Sequence, residues 1–278
     1  MSEFPRTTVG GTSLSRLIIG TNWFLGYSHS SAAKDKFITN YQTRNKIADT
    51  LEVFLEHGID AVMGPPSDLL YEAVQEAQDR TGRQMVTILT PTFNILPGGP
   101  PELEPERVFD HCQALGAAFC LPHQCVTDVL LDRMYNQIRD IDRYTTMIRA
   151  CGMIPGLSTH SPDTVVIADK SGADVETYIQ IYNATGFLMH VEVDWVMRII
   201  QGAQKPVMTI KPLAAGGLLP VVGLTHVWNT IRNQDMVTIG TTTPDEAREV
   251  IDISLDILSR RIPDYDLQVT RSKQTLTQ

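Results

Sequence analysis

The sequence predicts an α/β protein folded as one closed (β/α)8, or TIM, barrel, and three observations carry that prediction. Short apolar runs alternate eight times with longer amphipathic stretches along the 278 residues. Gly58, Gly152 and Gly202 each end a helical stretch just before a strand-like run, as a helix C-cap does. No GxGxxG turn follows the first strand, so the signature of an open doubly wound sheet is missing. Eight strand–helix repeats within about 250 residues therefore favour closure.

The strand-like runs, in order, are 16-RLIIG-20, 59-IDAVM-63, 85-MVTIL-89, 117-AAFCL-121, 153-MIPGL-157, 176-ETYIQIY-182, 206-PVMTI-210 and 236-MVTIG-240. Segments with helical spacing separate them, such as 45-NKIADTLEVFLEHG-58 and 244-PDEAREVIDISLDILSRR-261. In the latter, Val250, Ile251, Ile253, Leu255 and Ile257 gather on an apolar flank. Asp245 and Glu246 near its start suit the positive end of the helix dipole. The proline-rich stretch 91–105 reads as a loop after the third strand. No linker or low-complexity block divides the chain, so residues 1–278 form one domain. Its core runs over about 7–260 and a polar tail over about 264–278.

Composition narrows the function classes. A hydrophobic fraction of 42% and a charged fraction of 20% are ordinary for a globular protein. A net charge of -9 with scattered basic residues argues against nucleic-acid and acidic-membrane partners and for a small-molecule one. Cys112, Cys120, Cys125 and Cys151 lack paired CxxC spacing, which fits reduced thiols in a cytoplasmic protein. No apolar signal core or 18-residue apolar run occurs. The oligomeric state is left open.

In such barrels, function sits at the C-terminal ends of the strands. That rim carries Thr21, Asn22 and Trp23, then Met63, Gly64 and Pro65. Next come Thr90, His123, Ser158 with His160, Gln180 with Tyr182 and Asn183, Lys211, and Thr241 to Thr243.

Five of these stretches together resemble the aldo/keto reductases. The stretch 7-TTVGGTSLSRLIIGTNW-23 is similar to that family's opening β-hairpin and first strand, so the resemblance adds a short N-terminal hairpin to the barrel. The others are 156-GLSTHSPDTV-165, 179-IQIYN-183, 211-KPLAAGGLL-219 and 239-IGTTTPDEAREVI-251, all in the family's order. The resemblance spans residues 7 to about 260 and implies NAD(P)H as cofactor. Ser158 and Gln180 would then hold the nicotinamide carboxamide. The loop bearing Gly216 and Gly217 would line the pyrophosphate, and Thr241 would lie on the adenosine side.

The catalytic residues depart from the family pattern. Where the resemblance places an aspartate, a tyrosine and a lysine, this chain has Met63, Ser67 or Asp68, and Thr90 or Pro91. Only the histidine has a counterpart, His123. Ile210 replaces the family's stacking aromatic, and the loop 240–250 lacks an early cation for a 2′-phosphate. Reduction of carbonyls by the family's tetrad is therefore not expected.

The rim suggests other chemistry. Lys211 has three readings: an anion-binding charge, a Schiff-base amine, or the partner of a neighbouring acid. His123, His160 and Lys211 are the candidate catalytic groups. His29, His123, His160 and His190 all fall in rim segments. With Glu192, the last three would supply a divalent-metal site, although no HxH or HExxH spacing marks one. The alternative is that rim histidines are merely polar loop residues. Trp23, Phe24 and Tyr27 would stack on a flat ligand or cap the barrel, and Asp128 would cap a short extra helix. Three functions follow: an enzyme acting on a small polar or anionic molecule, a nicotinamide-dependent oxidoreductase with His123 as a rearranged acid, or a non-catalytic ligand-binding protein.

Overall fold

The computed structural model describes residues 3–94 and 104–276. It opens with an antiparallel hairpin of β1 (Arg6–Val9) and β2 (Thr12–Ser15). Gly10 and Gly11 make the turn at φ 53° and 83°, a backbone that suits glycine. The barrel strands follow: β3 (Leu17–Gly20), β4 (Ala61–Gly64), β5 (Val86–Leu89) and β6 (Ala117–Cys120). A small antiparallel pair, β7 (Leu131–Asp132) with β8 (Gln137–Ile138), is inserted before the fifth barrel strand. That strand has two halves, β9 (Ile154–Pro155) and β10 (Leu157–Thr159). The last three are β11 (Tyr178–Ile181), β12 (Val207–Ile210) and β13 (Met236–Ile239).

All barrel pairings are parallel, in the order β10-β11-β12-β13-β3-β4-β5-β6-β9. The two ends of that order are consecutive in the chain, so the fifth strand closes the barrel. It passes its pairing from β6 to β11 at Gly156. Gly156 N–H donates to the Cys120 carbonyl (3.3 Å), and Leu157 N–H to the Thr177 carbonyl (3.1 Å). A Cβ at Gly156 would lie 2.8 Å from both Leu121 Cγ and the Thr177 oxygen, so closure leaves no room for a side chain.

All eight predicted strands are present, with ends shifted by up to two residues. The helices number eleven among the described residues, not eight. After β3 come α1 (Asn22–Leu25), α2 (Ala32–Tyr41) and α3 (Arg44–Glu56). After β4 and β5 lie α4 (Asp68–Thr81) and α5 (Pro105–Ala114). After β6 come α6 (Gln124–Leu130) and α7 (Ile141–Ala150). The rest are α8 (Pro162–Ser171), α9 (Val193–Gly202), α10 (Pro220–Thr230) and α11 (Pro244–Leu258). The additions α1, α2 and α6 sit in β-to-α connections, on the rim. Gly58 and Gly152 follow their helices at φ 75° as expected. Gly202 instead is the last helical residue of α9, with Ala203 as the cap. Of the predicted loop 91–105, residues 95–103 lie outside the described residues.

Strand alternation sorts the core into two layers. Ile18, Ala61, Met63, Ile88, Phe119, Ile179, Met208 and Met236 fill the interior, with Val9 and Leu14 of the hairpin packed against them. Their neighbours Leu17, Ile19, Val62, Leu157, Tyr178, Val207 and Val237 face outward into the helix layer. At the N-terminal end the buried Asp235 carboxylate accepts from Val207 N–H (2.9 Å) and from the Arg232 guanidinium (2.7 Å). The Arg16 guanidinium donates to the Asp235 carbonyl (2.9 Å). These bonds join β12, β13 and the start of β3. All four cysteines are unpaired. No helix among the described residues is long and apolar enough to cross a membrane.

At the other end, Gly64 closes β4 tightly: a Cβ there would meet Thr21 Oγ1 at 1.8 Å. Gly64→Ala should therefore destabilise the fold by about 1–3 kcal/mol through overpacking, read as a lower urea midpoint. Adding Thr21→Ala should recover much of that loss. An unchanged midpoint for the single variant would contradict this packing.

Candidate functional site

A cavity of about 670 Å³ opens at the C-terminal ends of the strands. That is within the usual size range of small-molecule sites. Lys211 stands directly after β12. Alternation alone would turn it outward, because Val207 and Thr209 face away from the interior that receives Met208 and Ile210. Instead Lys211 adopts a left-handed backbone, φ 61°, and both Ile210 and Lys211 line the cavity. A non-glycine residue in this region costs on the order of 1–2 kcal/mol. The same loop holds Ala214 and Ala215 at φ 49° and 55°.

Lys211 makes no ion pair among the described residues. Its ammonium donates to His29 Nε2 at 3.2 Å. His29 is itself at φ 59°, and its Nδ1 lies 2.9 Å from the Tyr27 carbonyl. A carbonyl only accepts, so Nδ1 carries the proton and Nε2 offers a lone pair to the lysine. Burial holds the Lys211 amine down to about 8. The acid-partner reading of Lys211 thus gives way to a neutral partner.

His123 is the N-cap of α6. Its Nδ1 accepts from Cys125 N–H at 3.4 Å and lies 3.1 Å from Cys125 Sγ. With Nδ1 accepting, the neutral ring carries its proton on Nε2 and can donate to a ligand. His160 follows β10, two residues after Ser158, and alternation sends both into the cavity. Between them Thr159 faces outward, and its hydroxyl donates to the Asp128 carboxylate. Asp128 also accepts His160 N–H at 3.0 Å. Asp128 therefore tethers the end of β10 from α6; the capping role belongs to His123.

Electrostatics keeps these histidines neutral. Burial, then the charge of Lys211, lowers His29 and His123. The same causes, with the other histidines, bring His160 down to about 3. At neutral pH the cluster is one ammonium among three neutral imidazoles.

The far wall differs in sign. Glu246 and Glu249 line the cavity there with Ala215, Gly216 and Thr241. Glu246 also accepts Thr242 N–H (2.6 Å), and Thr243 Oγ1 accepts Glu246 N–H (3.2 Å), a close variant of a capping box. Thr21, Thr238 and Thr241 also line the cavity, and their hydroxyls are buried without a hydrogen-bond partner among the described residues.

The structure thus brings His123, His160, Lys211, Ser158, Gly216 and Thr241 to one cavity and adds His29. It does not bring Gln180 or Gly217 to the cavity wall. Gln180 is fully buried on the strand face shared with Tyr178 and Tyr182. Tyr182 hydrogen-bonds Thr230, and Asn183 organises its own turn through Thr185 and Phe187. His190 and Glu192 lie off the cavity wall as well, with Glu192 at the N-cap position of α9. The metal set His123, His160, His190 and Glu192 is therefore not assembled. No cluster of three or more His, Cys, Asp or Glu residues fit to hold a metal occurs among the described residues.

Solved structures share this architecture. PA4992 from Pseudomonas aeruginosa superposes with a TM-score of 0.66 at 15% identity, covering 91% of this chain and 96% of its own. The thermostable aldo-keto reductase Tm1743, solved with the inhibitor epalrestat, gives 0.61 at 13% identity over 98% and 97%. Glycerol dehydrogenase AKR11B4 from Gluconobacter oxydans gives 0.56 at 14% over 95% and 98%. No family profile and no curated protein matches the sequence. The fold is that of the aldo-keto reductases.

The sequence resemblance implies a nicotinamide nucleotide, and the residues present fit it only in part. Ser158, Gly216 and Thr241 line the cavity, but Gln180 does not, and Glu246 and Glu249 oppose a 2′-phosphate.

Lys211 sets a stability signature. Its folded value of about 8 lies below its ordinary 10.5, so between those pH values the unfolded chain binds more protons. Its penalty is full below pH 8 and fades as pH rises to 10.5. Lys211→Met should therefore be more stable than the parent at pH 7, by about 2 kcal/mol. The gap should shrink towards pH 10.5 in denaturant melts. A gap independent of pH would contradict a half-buried, unpaired ammonium.

Proposed function

We propose that the barrel mouth is an enzyme active site for a small anionic molecule, with Lys211, His123 and His160 as its principal groups. One observation carries this reading: an ammonium with no acidic partner among the described residues faces the cavity amid three neutral imidazoles. A carboxylate or phosphate at Lys211 would supply the missing counter-charge, and charge-assisted bonds of this kind are the strong ones. His123 would donate its Nε2 proton to a ligand oxygen, and the Ser158, Thr90 and Thr92 hydroxyls line the same wall. Asp128 would act indirectly, by setting where His160 projects.

Standard reductase chemistry is not part of this reading. Met63 and Thr90 line the cavity where the resemblance calls for an aspartate and a lysine. Ser67 is occupied as the N-cap of α4. A nicotinamide-dependent oxidoreductase with His123 as acid is the second reading, favoured by Ser158 and Gly216 on the cavity wall. The acidic Glu246 and Glu249 then imply NADH in preference to NADPH.

The test is thermal melting and calorimetry at pH 7 with oxalate, phosphate, NADH and NADPH. Oxalate or phosphate at a hundredfold excess over Kd should stabilise the protein by about 2.7 kcal/mol. Lys211→Met should weaken that binding by about 10- to 100-fold. If neither anion binds at millimolar concentration, the reading falls. Binding of NADH alone would promote the second.

A further inference from the structure

We propose that Lys211 forms an imine with the carbonyl carbon of a small 2-oxo acid, making the mouth a Schiff-base site. This rests on the anion-binding reading above, since the carboxylate of such an acid is what the cluster would draw in. Three features of the geometry point to covalent use of the amine beyond its charge. First, the left-handed backbone at Lys211 overrides strand alternation and turns the side chain into the cavity. Second, no carboxylate pairs with Nζ among the described residues, so the amine is not held as a permanent ammonium by an acid. Third, the group it does touch, His29 Nε2 at 3.2 Å, presents a lone pair fixed by the Nδ1–Tyr27 contact.

A lysine amine is a nucleophile only when neutral, and desolvation is a known way to make it so. Burial brings Lys211 to about 8, which leaves on the order of a tenth of the amine neutral at pH 7. The neutral amine attacks the carbonyl carbon. A C–N bond forms, and the carbonyl π pair moves to the oxygen. The proton lost by nitrogen passes through His29 to that oxygen, giving a carbinolamine. The nitrogen lone pair then expels the hydroxyl, which takes one more proton and leaves as water. The sum is amine, carbonyl and one proton giving a protonated imine and water, with no change in oxidation level. His123, with Nε2–H available on the cavity wall, is placed to hydrogen-bond the oxygen as it develops charge. The protonated imine keeps the positive charge that attracts the substrate carboxylate. It is also an electron sink for breaking a bond next to the former carbonyl.

The experiment uses the full chain with pyruvate and sodium cyanoborohydride, read by intact mass and peptide mapping. One N-carboxyethyl adduct at Lys211 is expected, with its rate rising roughly tenfold from pH 6 to pH 7 as the amine loses its proton. Lys211→Arg should show no such adduct while keeping a cooperative melt. If that variant fails to fold, the site of the adduct in the parent chain decides. Labelling spread over exposed lysines such as Lys36, or absent from Lys211, would overturn the proposal. Oxalate, which binds as an anion but offers no ketone, is melted in parallel. Stabilisation by oxalate without a pyruvate adduct would sink the imine and leave the anion site standing. An adduct at Lys211 without any oxalate effect would support the imine and remove the anion reading.

Discussion

The constraint on which the rest depends is that a closed barrel has only two sides. Every strand residue goes either to the interior or to the helix layer, and the choice alternates without exception along a regular strand. Ile18, Ile88 and Met208 obey it inward, and Leu17, Val207 and Val237 obey it outward. At the mouth the same rule decides which polar residues can meet a ligand. It admits Ser158 and His160, two residues apart on one strand, and it sends Thr159 between them to Asp128. It also excludes Gln180, which shares its face with Tyr178 and Tyr182. Lys211 is the exception, and a left-handed backbone is the means.

That exception is costly twice over. The backbone conformation is unfavourable for a side chain with a Cβ, and an ammonium has been drawn partly away from water without an acid beside it among the described residues. Cost of this kind is retained where surrounding structure over-determines it, and such positions cluster at functional sites. The neighbours show what the arrangement achieves. A carboxylate beside Lys211 would quench its charge; three histidines do not. Because the lysine and burial together keep them neutral, they add donors and acceptors without adding repulsion. The cavity wall is therefore positive at one place and merely polar around it.

The eight strands and the closure were legible in the sequence because the apolar runs had the right count, length and spacing. His123, His160, Ser158 and Lys211 were placed correctly at the mouth for the same reason: each stands within a few residues of a strand's C-terminal end. Gln180 was misplaced because one strand face cannot be told from the other in a run such as YIQIY, apolar on both sides. His190 and Glu192 were grouped with the other histidines on type alone, and the connection from β11 to α9 carries them off the cavity wall. The contact between His29 and Lys211 joins residues 182 apart, and nothing local in either segment announces it. The backbone of Lys211 was equally hidden, since lysine gives none of the signals by which glycine or asparagine marks a left-handed turn.

The two ends of the cavity bear on how the fold is being used. An NADPH site on this architecture would need a cation for the 2′-phosphate where the last strand meets α11. Here Glu246 stands in that position and is already engaged, its carboxylate holding Thr242 N–H at the start of α11. Glu249 lies beside the same wall. That carboxylate cannot swing away without releasing the Thr242 N–H, so the negative character of this end is built into the start of the helix. An anionic molecule of the proposed kind would thus be repelled from the α11 side and drawn to Lys211. A ligand matching both walls would be small, with its negative group at the histidine end. A cation or hydroxyl donors would face the glutamates. This polarity agrees with the chemistry proposed for Lys211 and His123, with the α11 side of the cavity serving as wall.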